Sequence, residues 1–263
     1  MFKRILAGID GSRAGWTAKN YAFTLAKAFD LPVVGIHVID VRLLEESFLE
    51  DLAGVLGFTY YLGISQKVRE FLEKQADVLV EEFLSEGRKK GLKVSSFQTV
   101  GVPHEVLVEQ ADPEDLLIIG RRGKRPIRGL FLSSTADVVS RRSKAPILLV
   151  PEEERSLKKL CVAYDGGEMS KKALELGRII SNNFDATLYA LYVGETPPQV
   201  EEGIELKVLP GLPEERLVSH CREEDVDMLL MGAYSKGRLK EFFLGSTTTF
   251  VLHHLEIPIL LVK

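Results

Sequence analysis

Residues 3–10 read KRILAGID, and residues 158–165 read KKLCVAYD. Two more pairs follow in the same order: DLLIIG at 115–120 against DMLLMG at 227–232, and APILLV at 145–150 against IPILLV at 257–262. One such match is expected between any two apolar strands, but three in order mark an internal repeat. The first pair lies 155 residues apart and the other two 112 apart, so the second copy is shorter by about 43 residues in its middle. The polar, acidic stretch VPEEERSLKK at 150–159 separates the copies. It sets the expected join near Glu154 and gives domains of 1–154 and 155–263, each large enough to bury a core.

Within the first copy, strand and helix patterns alternate. ILAGI is a short apolar run, and residues 14–29 then carry apolar groups at helical spacing. VVGIHVI is the next strand, and residues 41–63 read as irregular or helical. Residues 66–90 form a long amphipathic helix stopped by Gly91. Strand VSSFQTV, helix 105–110, strand LLIIG, helix 134–142 and strand PILLV complete the copy. Near-continuous apolar strands alternating with helices predict a parallel sheet covered on both faces. The expected class is α/β, with two tandem Rossmann-like domains of five parallel strands each. In the second copy VGETPPQVEEG at 193–203 stands in place of the long helix.

Composition narrows the partners. Hydrophobic residues make up 45% and charged residues 27%, as in globular domains. A net charge of −4 argues against a general nucleic-acid binder. No apolar run approaches the roughly 18–20 residues needed to cross a bilayer, and the opening MFKRILAGIDGS turns polar too soon for a signal peptide. A cytoplasmic protein with no membrane partner is expected. Cys161 and Cys221 lack metal-ligand spacing and read as buried structural thiols. The adjacent His253 and His254 point about 100° apart on a helix, which disfavours a metal pair.

Ligands of open parallel sheets bind at the carboxyl ends of the strands. There the first copy has Asp10-Gly11-Ser12 and the second Asp165-Gly166-Gly167. Such an acid can accept from an adenine amino group or a ribose hydroxyl, and can equally cap the helix that follows. After the LLIIG strand come Gly120-Arg121-Arg122-Gly123, nine residues and Ser133-Ser134; the second copy has Gly232, Ser235, nine residues and Gly245-Ser246. Glycines admit a phosphate to the backbone, and the free N–H groups of a helix start point at it. The first copy carries eight basic residues between Arg121 and Lys144, opposed by Asp137 alone, and the equivalent stretch of the second carries three.

The strand ending in Asp10-Gly11-Ser12, the second strand ending in HVID at 37–40, the Gly101-to-Pro103 turn and the G-2x-G-9x-G-S spacing resemble the universal stress protein family, over essentially the whole chain and twice. The resemblance implies an adenine nucleotide α-hydrolase-like fold and ATP as ligand, alone or with Mg2+, with ADP or AMP as alternatives. It implies adenosine contacts from Asp10 and the Val38 backbone, or Asp165 and Val193. It assigns ribose and phosphates to Gly120, Gly123, Ser133 and Ser134, or to Gly232, Ser235, Gly245 and Ser246, with Gly11, Ser12, Arg121 and Arg122 beside them. Ser133 replaces the third glycine of the first motif and Ser235 the second glycine of the other. A serine Cβ there is expected to crowd a phosphate or to resist a positive φ. The first copy keeps the longer middle segment and is expected to hold the better site. The resemblance also implies that strands 146–150 and 258–262 pack together as an intramolecular pseudo-dimer, with room for a homo-oligomer. A regulatory or stress-protective ATP binder with little or no turnover is the expected function; a nucleotide-free module acting through protein contacts is the alternative. An enzyme of the wider fold would want a Ser-Gly-Gly phosphate loop after the first strand, which Asp10-Gly11-Ser12 does not supply.

Overall fold

A computed structural model describes residues 2–44, 64–123, 132–233 and 244–263. The first half runs β1 (Arg4–Gly8), α1 (Arg13–Phe29), β2 (Val33–Asp40), a 3-10 turn (Val41–Leu44), α2 (Ile64–Lys89), β3 (Val94–Gly101), α3 (Pro103–Gln110), β4 (Asp115–Gly120), α4 (Ser134–Arg142) and β5 (Ile147–Val150). The second half runs β6 (Lys159–Ala163), α5 (Glu168–Phe184), β7 (Thr187–Val193), β8 (Glu205–Leu209), α6 (Pro213–Glu223), β9 (Met228–Gly232), α7 (Ser246–His254) and β10 (Ile259–Val262). No helix stands between β7 and β8, where α2 stands in the first half. Of the stretch 41–63, only the 3-10 turn falls within the described residues.

Local chemistry sets the helix ends. The Ser12 side chain accepts from the Gly15 N–H at 3.0 Å and caps α1, and Asp30 ends that helix with φ 51°. Asp185 ends α5 in the same left-handed conformation, φ 49°. Pro103 and Pro213 each open a helix at its first turn, where the missing N–H costs nothing.

The strands form one sheet in the order β3-β2-β1-β4-β5-β10-β9-β6-β7-β8. All pairs are parallel except β5 with β10. Each half is thus a five-stranded parallel Rossmann-like domain, and the antiparallel β5–β10 pair joins the two. The register sets Leu148 opposite Leu260, with Ile147 opposite Leu261 and Leu149 opposite Ile259. Leu148 and Leu260 are equivalent positions of the repeat, so this strand faces its own counterpart about its centre. β4, β5, β9 and β10 are buried along almost their whole length, and the outer strands β3 and β8 alternate with solvent. Alternate residues feed two apolar layers. Leu117, Leu149, Leu229 and Leu261 belong to one, and Ile118, Leu148, Leu230 and Leu260 to the other, so both layers cross the seam.

The connector is fastened on both sides. Thr17 Oγ1 donates to the Glu152 carbonyl at 2.7 Å, and the Tyr21 hydroxyl donates to the Arg155 carbonyl at 2.8 Å while accepting from its N–H. From the other half, the Asp227 carboxylate accepts from the Ser156 hydroxyl and from the Lys158 and Lys159 backbone. Among the described residues no helix is long and apolar enough to cross a membrane.

Candidate functional site

The carboxyl ends of β1, β2 and β4 open into a cavity of about 960 Å³. Asp10, Val38, Gly120, Arg122, Gly123, Ser133 and Ser134 all lie on its wall. The equivalent place in the second half is a cavity of about 230 Å³, bordered by Asp165, Val193, Gly232, Gly245 and Ser246. Ser235 lies outside the described residues. Part of the difference in size comes from α2, whose Phe71, Leu72 and Gln75 form a wall of the first cavity only.

At the head of the first cavity, Asp10 Oδ1 accepts from the Ser12 N–H at 2.9 Å and the Ser12 hydroxyl at 2.6 Å. Asp10 Oδ2 stands 3.5 Å from where a Cβ on Gly123 would project. His37 Nδ1 sits 2.6 Å from the Ile9 carbonyl and ties β2 to the end of β1. His37 is a buried strand residue. In the second half Asp165 Oδ1 accepts from the Gly167 N–H at 2.8 Å and the Ser170 hydroxyl at 2.7 Å.

Gly11 and Ser12 do not border the cavity, and the structure gives them other tasks. Gly11 turns the chain with φ 74°, as Gly166 does with φ 72° in the other half. Ser12 spends its side chain on Asp10 and on the α1 cap.

At the foot of the cavity a backbone bond joins the residue before α4 to the end of β4. The Ser133 N–H donates to the Arg121 carbonyl at 2.6 Å, and its equivalent, Gly245 N–H, donates to the Ala233 carbonyl at 3.2 Å. Ser133 then caps α4, accepting from the Ala136 N–H at 3.2 Å. Its φ of −72° is open to any residue and matches the −60° of Gly245, so the expected backbone strain at Ser133 does not arise. Neither Gly120, Gly123, Gly232 nor Gly245 has a positive φ. Gly120 and Gly232 answer to packing: a Cβ would come within 2.7 Å of Ala14 Cβ at Gly120, and within 2.6 Å of Met169 Cβ at Gly232. These glycines let the first turn of a helix lie against the end of a strand.

The basic cluster divides. Arg122 and Arg141 face the cavity, the first paired with Glu256 at 2.7 Å and the second with Asp137 at 3.0 Å. Lys124, Arg125 and Arg128 lie outside the described residues. Arg121 corrects the sequence expectation. Its side chain is 2% exposed and turned away from the cavity, donating to the Leu252 and Leu255 carbonyls at the end of α7. Burial lowers its pKa to about 10, which leaves it charged at neutral pH. The reason is alternation: Arg121 continues β4 and its N–H still bonds to Val150, so its side chain falls on the face that meets the other domain.

Other expectations resolve simply. Cys161 and Cys221 are both buried in one apolar layer, and contact with Cys161 together with burial pushes the Cys221 thiol up. Pro103 borders the cavity. His253, which sequence reasoning set aside as an unpaired metal candidate, borders it too, although it belongs to α7 of the other half. No local signal marks that placement.

Two Rossmann-like domains in tandem, each with a loop and a helix start at the carboxyl edge of its sheet, define a duplicated doubly wound α/β protein. The family model for universal stress proteins matches residues 1–151 and 199–263, and the chain belongs to that family. It is similar along its length to the universal stress protein Slr1230 of Synechocystis, 26% identical over 98% of this chain and 99% of that one. The universal stress protein MJ0577 of Methanocaldococcus jannaschii is 33% identical over 57% of this chain and 95% of its own. The crystal structure of a universal stress protein from Archaeoglobus fulgidus shares the fold, with a TM-score of 0.76 at 18% identity, over 99% of this chain and 98% of that one.

Proposed function

We propose that this tandem universal stress protein binds ATP in the cavity of its first domain and acts as a regulatory or stress-protective module with little or no turnover. The domains on this reading are 1–154 and 155–263. One observation carries it: a cavity of about 960 Å³ gathers Asp10, Val38, Gly123 and the α4 N-terminus around one space. Its size lies within the roughly 300–1,000 Å³ of small-molecule sites. Asp10 Oδ2 and the Val38 backbone suit an adenosine. The α4 N-terminus, with the Ser134 and Thr135 hydroxyls on the same wall, suits a phosphate. Mg2+ would enter on the nucleotide's phosphates: among the described residues no three His, Cys, Asp or Glu side chains converge to hold a metal. ADP or AMP would use the same adenosine contacts.

The second cavity, about 230 Å³, is below that size range and favours a second domain that works through protein contacts. The β5–β10 register supports its role as the permanent partner in a pseudo-dimer.

Low turnover is proposed because Asp137, the carboxylate on the phosphate side, is engaged by Arg141. Calorimetry of the nucleotide-stripped chain should show ATP binding in the micromolar range, about 6–8 kcal/mol, weakened by Asp10→Ala. Absence of heat up to millimolar ATP would overturn the reading. Hydrolysis faster than about one per second would move the protein among enzymes.

A further inference from the structure

The first cavity is not walled by the first domain alone. His253, in the last turn of α7, borders it together with Arg122, Ser133 and Arg141. Two arginines of the first domain fasten that turn. Arg121 donates to the Leu252 and Leu255 carbonyls on either side of the histidine, and Arg122 pairs with Glu256 at 2.7 Å. The clamped residues flank His253, so the turn that carries it is held at the cavity wall. His254 differs: it is exposed, its Nδ1 lies 2.8 Å from the Phe250 carbonyl, and its ring stacks on Phe250 at 3.9 Å. His253 is half-buried, and among the described residues it has no hydrogen-bond partner. An imidazole on the cavity wall, without a partner among the described residues, is suited to donate to a ligand oxygen.

We propose that the second domain completes the nucleotide site of the first by placing His253 against a phosphate oxygen of the bound nucleotide. This rests on the reading of the cavity as an ATP site. The task assigned to His253 is binding: its N–H donates to the phosphate, alongside the N–H groups of the α4 start. It makes ATP affinity in the first domain a property of the whole tandem chain, and it selects for nucleotides that carry phosphates over adenosine.

The test is equilibrium titration of the stripped full-length chain with ATP and with adenosine. His253→Ala should weaken ATP by about tenfold, the loss of one hydrogen bond to a charged group, and leave adenosine within about twofold. His253→Gln, which keeps a donor, should recover part of the ATP affinity, and His254→Ala should change neither ligand. Wild-type ATP affinity in His253→Ala, or equal losses of ATP and adenosine in both His253 variants, would overturn the proposal. A wild-type chain that binds neither ligand would instead overturn the ATP reading, and this proposal with it.

Discussion

Arg121 and Arg122 are neighbours of the same charge, yet they do different work. Arg122 lies on the cavity wall, while Arg121 crosses the domain boundary to the last carbonyls of α7, which have no partner within their own helix. Those carbonyls carry the negative end of the helix dipole, and the planar guanidinium serves two of them at once. That arrangement offsets part of the cost of burying a cation, while Arg121 Nε, also buried, has no partner among the described residues. Arg121→Ala would leave buried carbonyls unsatisfied, and urea unfolding should show a loss of about 3 kcal/mol. Arg121→Lys should recover less than half of it, because an ammonium cannot span both carbonyls. Unchanged stability with a fall in ATP affinity would return Arg121 to the phosphate loop.

The helices decide which cavity is roomy. α2 walls the first and has no counterpart in the second, where the chain passes from β7 to β8 without a helix. α4 and α7 start at equivalent places with nearly equal backbone angles, but α4 has a serine cap and α7 a glycine that makes no side-chain bond. The loss of the third glycine in the first motif therefore became a helix cap. A valine at Gly123 would project towards Asp10, whereas at Gly245 the nearest atom to a new Cβ is Thr248 Oγ1 at 3.8 Å. Gly123→Val should abolish ATP binding and Gly245→Val should leave it within about threefold, measured by equilibrium dialysis. The reverse ranking would move the site to the second domain.

Across the full chain, both apolar layers run through the β5–β10 seam without interruption. Ile147 and Ile259 are fully buried at that seam. A lysine there would place an unpaired ammonium among apolar side chains, a cost well above 4 kcal/mol and near the whole stability of a domain. Ile259→Lys should therefore lower hydrogen-exchange protection in both halves. Loss confined to residues 155–263 would mean that the halves fold independently and meet only afterwards.

Much of this was legible in the chain. The repeat, the alternation of strands and helices and the missing middle helix of the second copy all lie in short-range patterns, whereas the α1 cap expected at Asp10 falls to Ser12, whose hydroxyl Asp10 accepts from. A period of two or of 3.6 residues records which face of an element is buried. Asp10, Gly123 and Ser133 could be placed together because the carboxyl edge of a parallel sheet collects strand ends whatever the rest of the fold, and Val38 was added by the family resemblance. The same patterns do not record what a buried face is buried against. Arg121 finds its carbonyls more than 130 residues away, and His253 reaches the cavity of a domain to which it does not belong. The roles of Gly120 and Gly232 depend on how closely a helix lies over a strand end. These are distances between segments remote in sequence. The glycine contacts were decided by packing within each domain, and those of Arg121 and His253 only when β5 met β10 and set one domain against the other, because a side chain's charge is local but its partner is wherever the packing brings one.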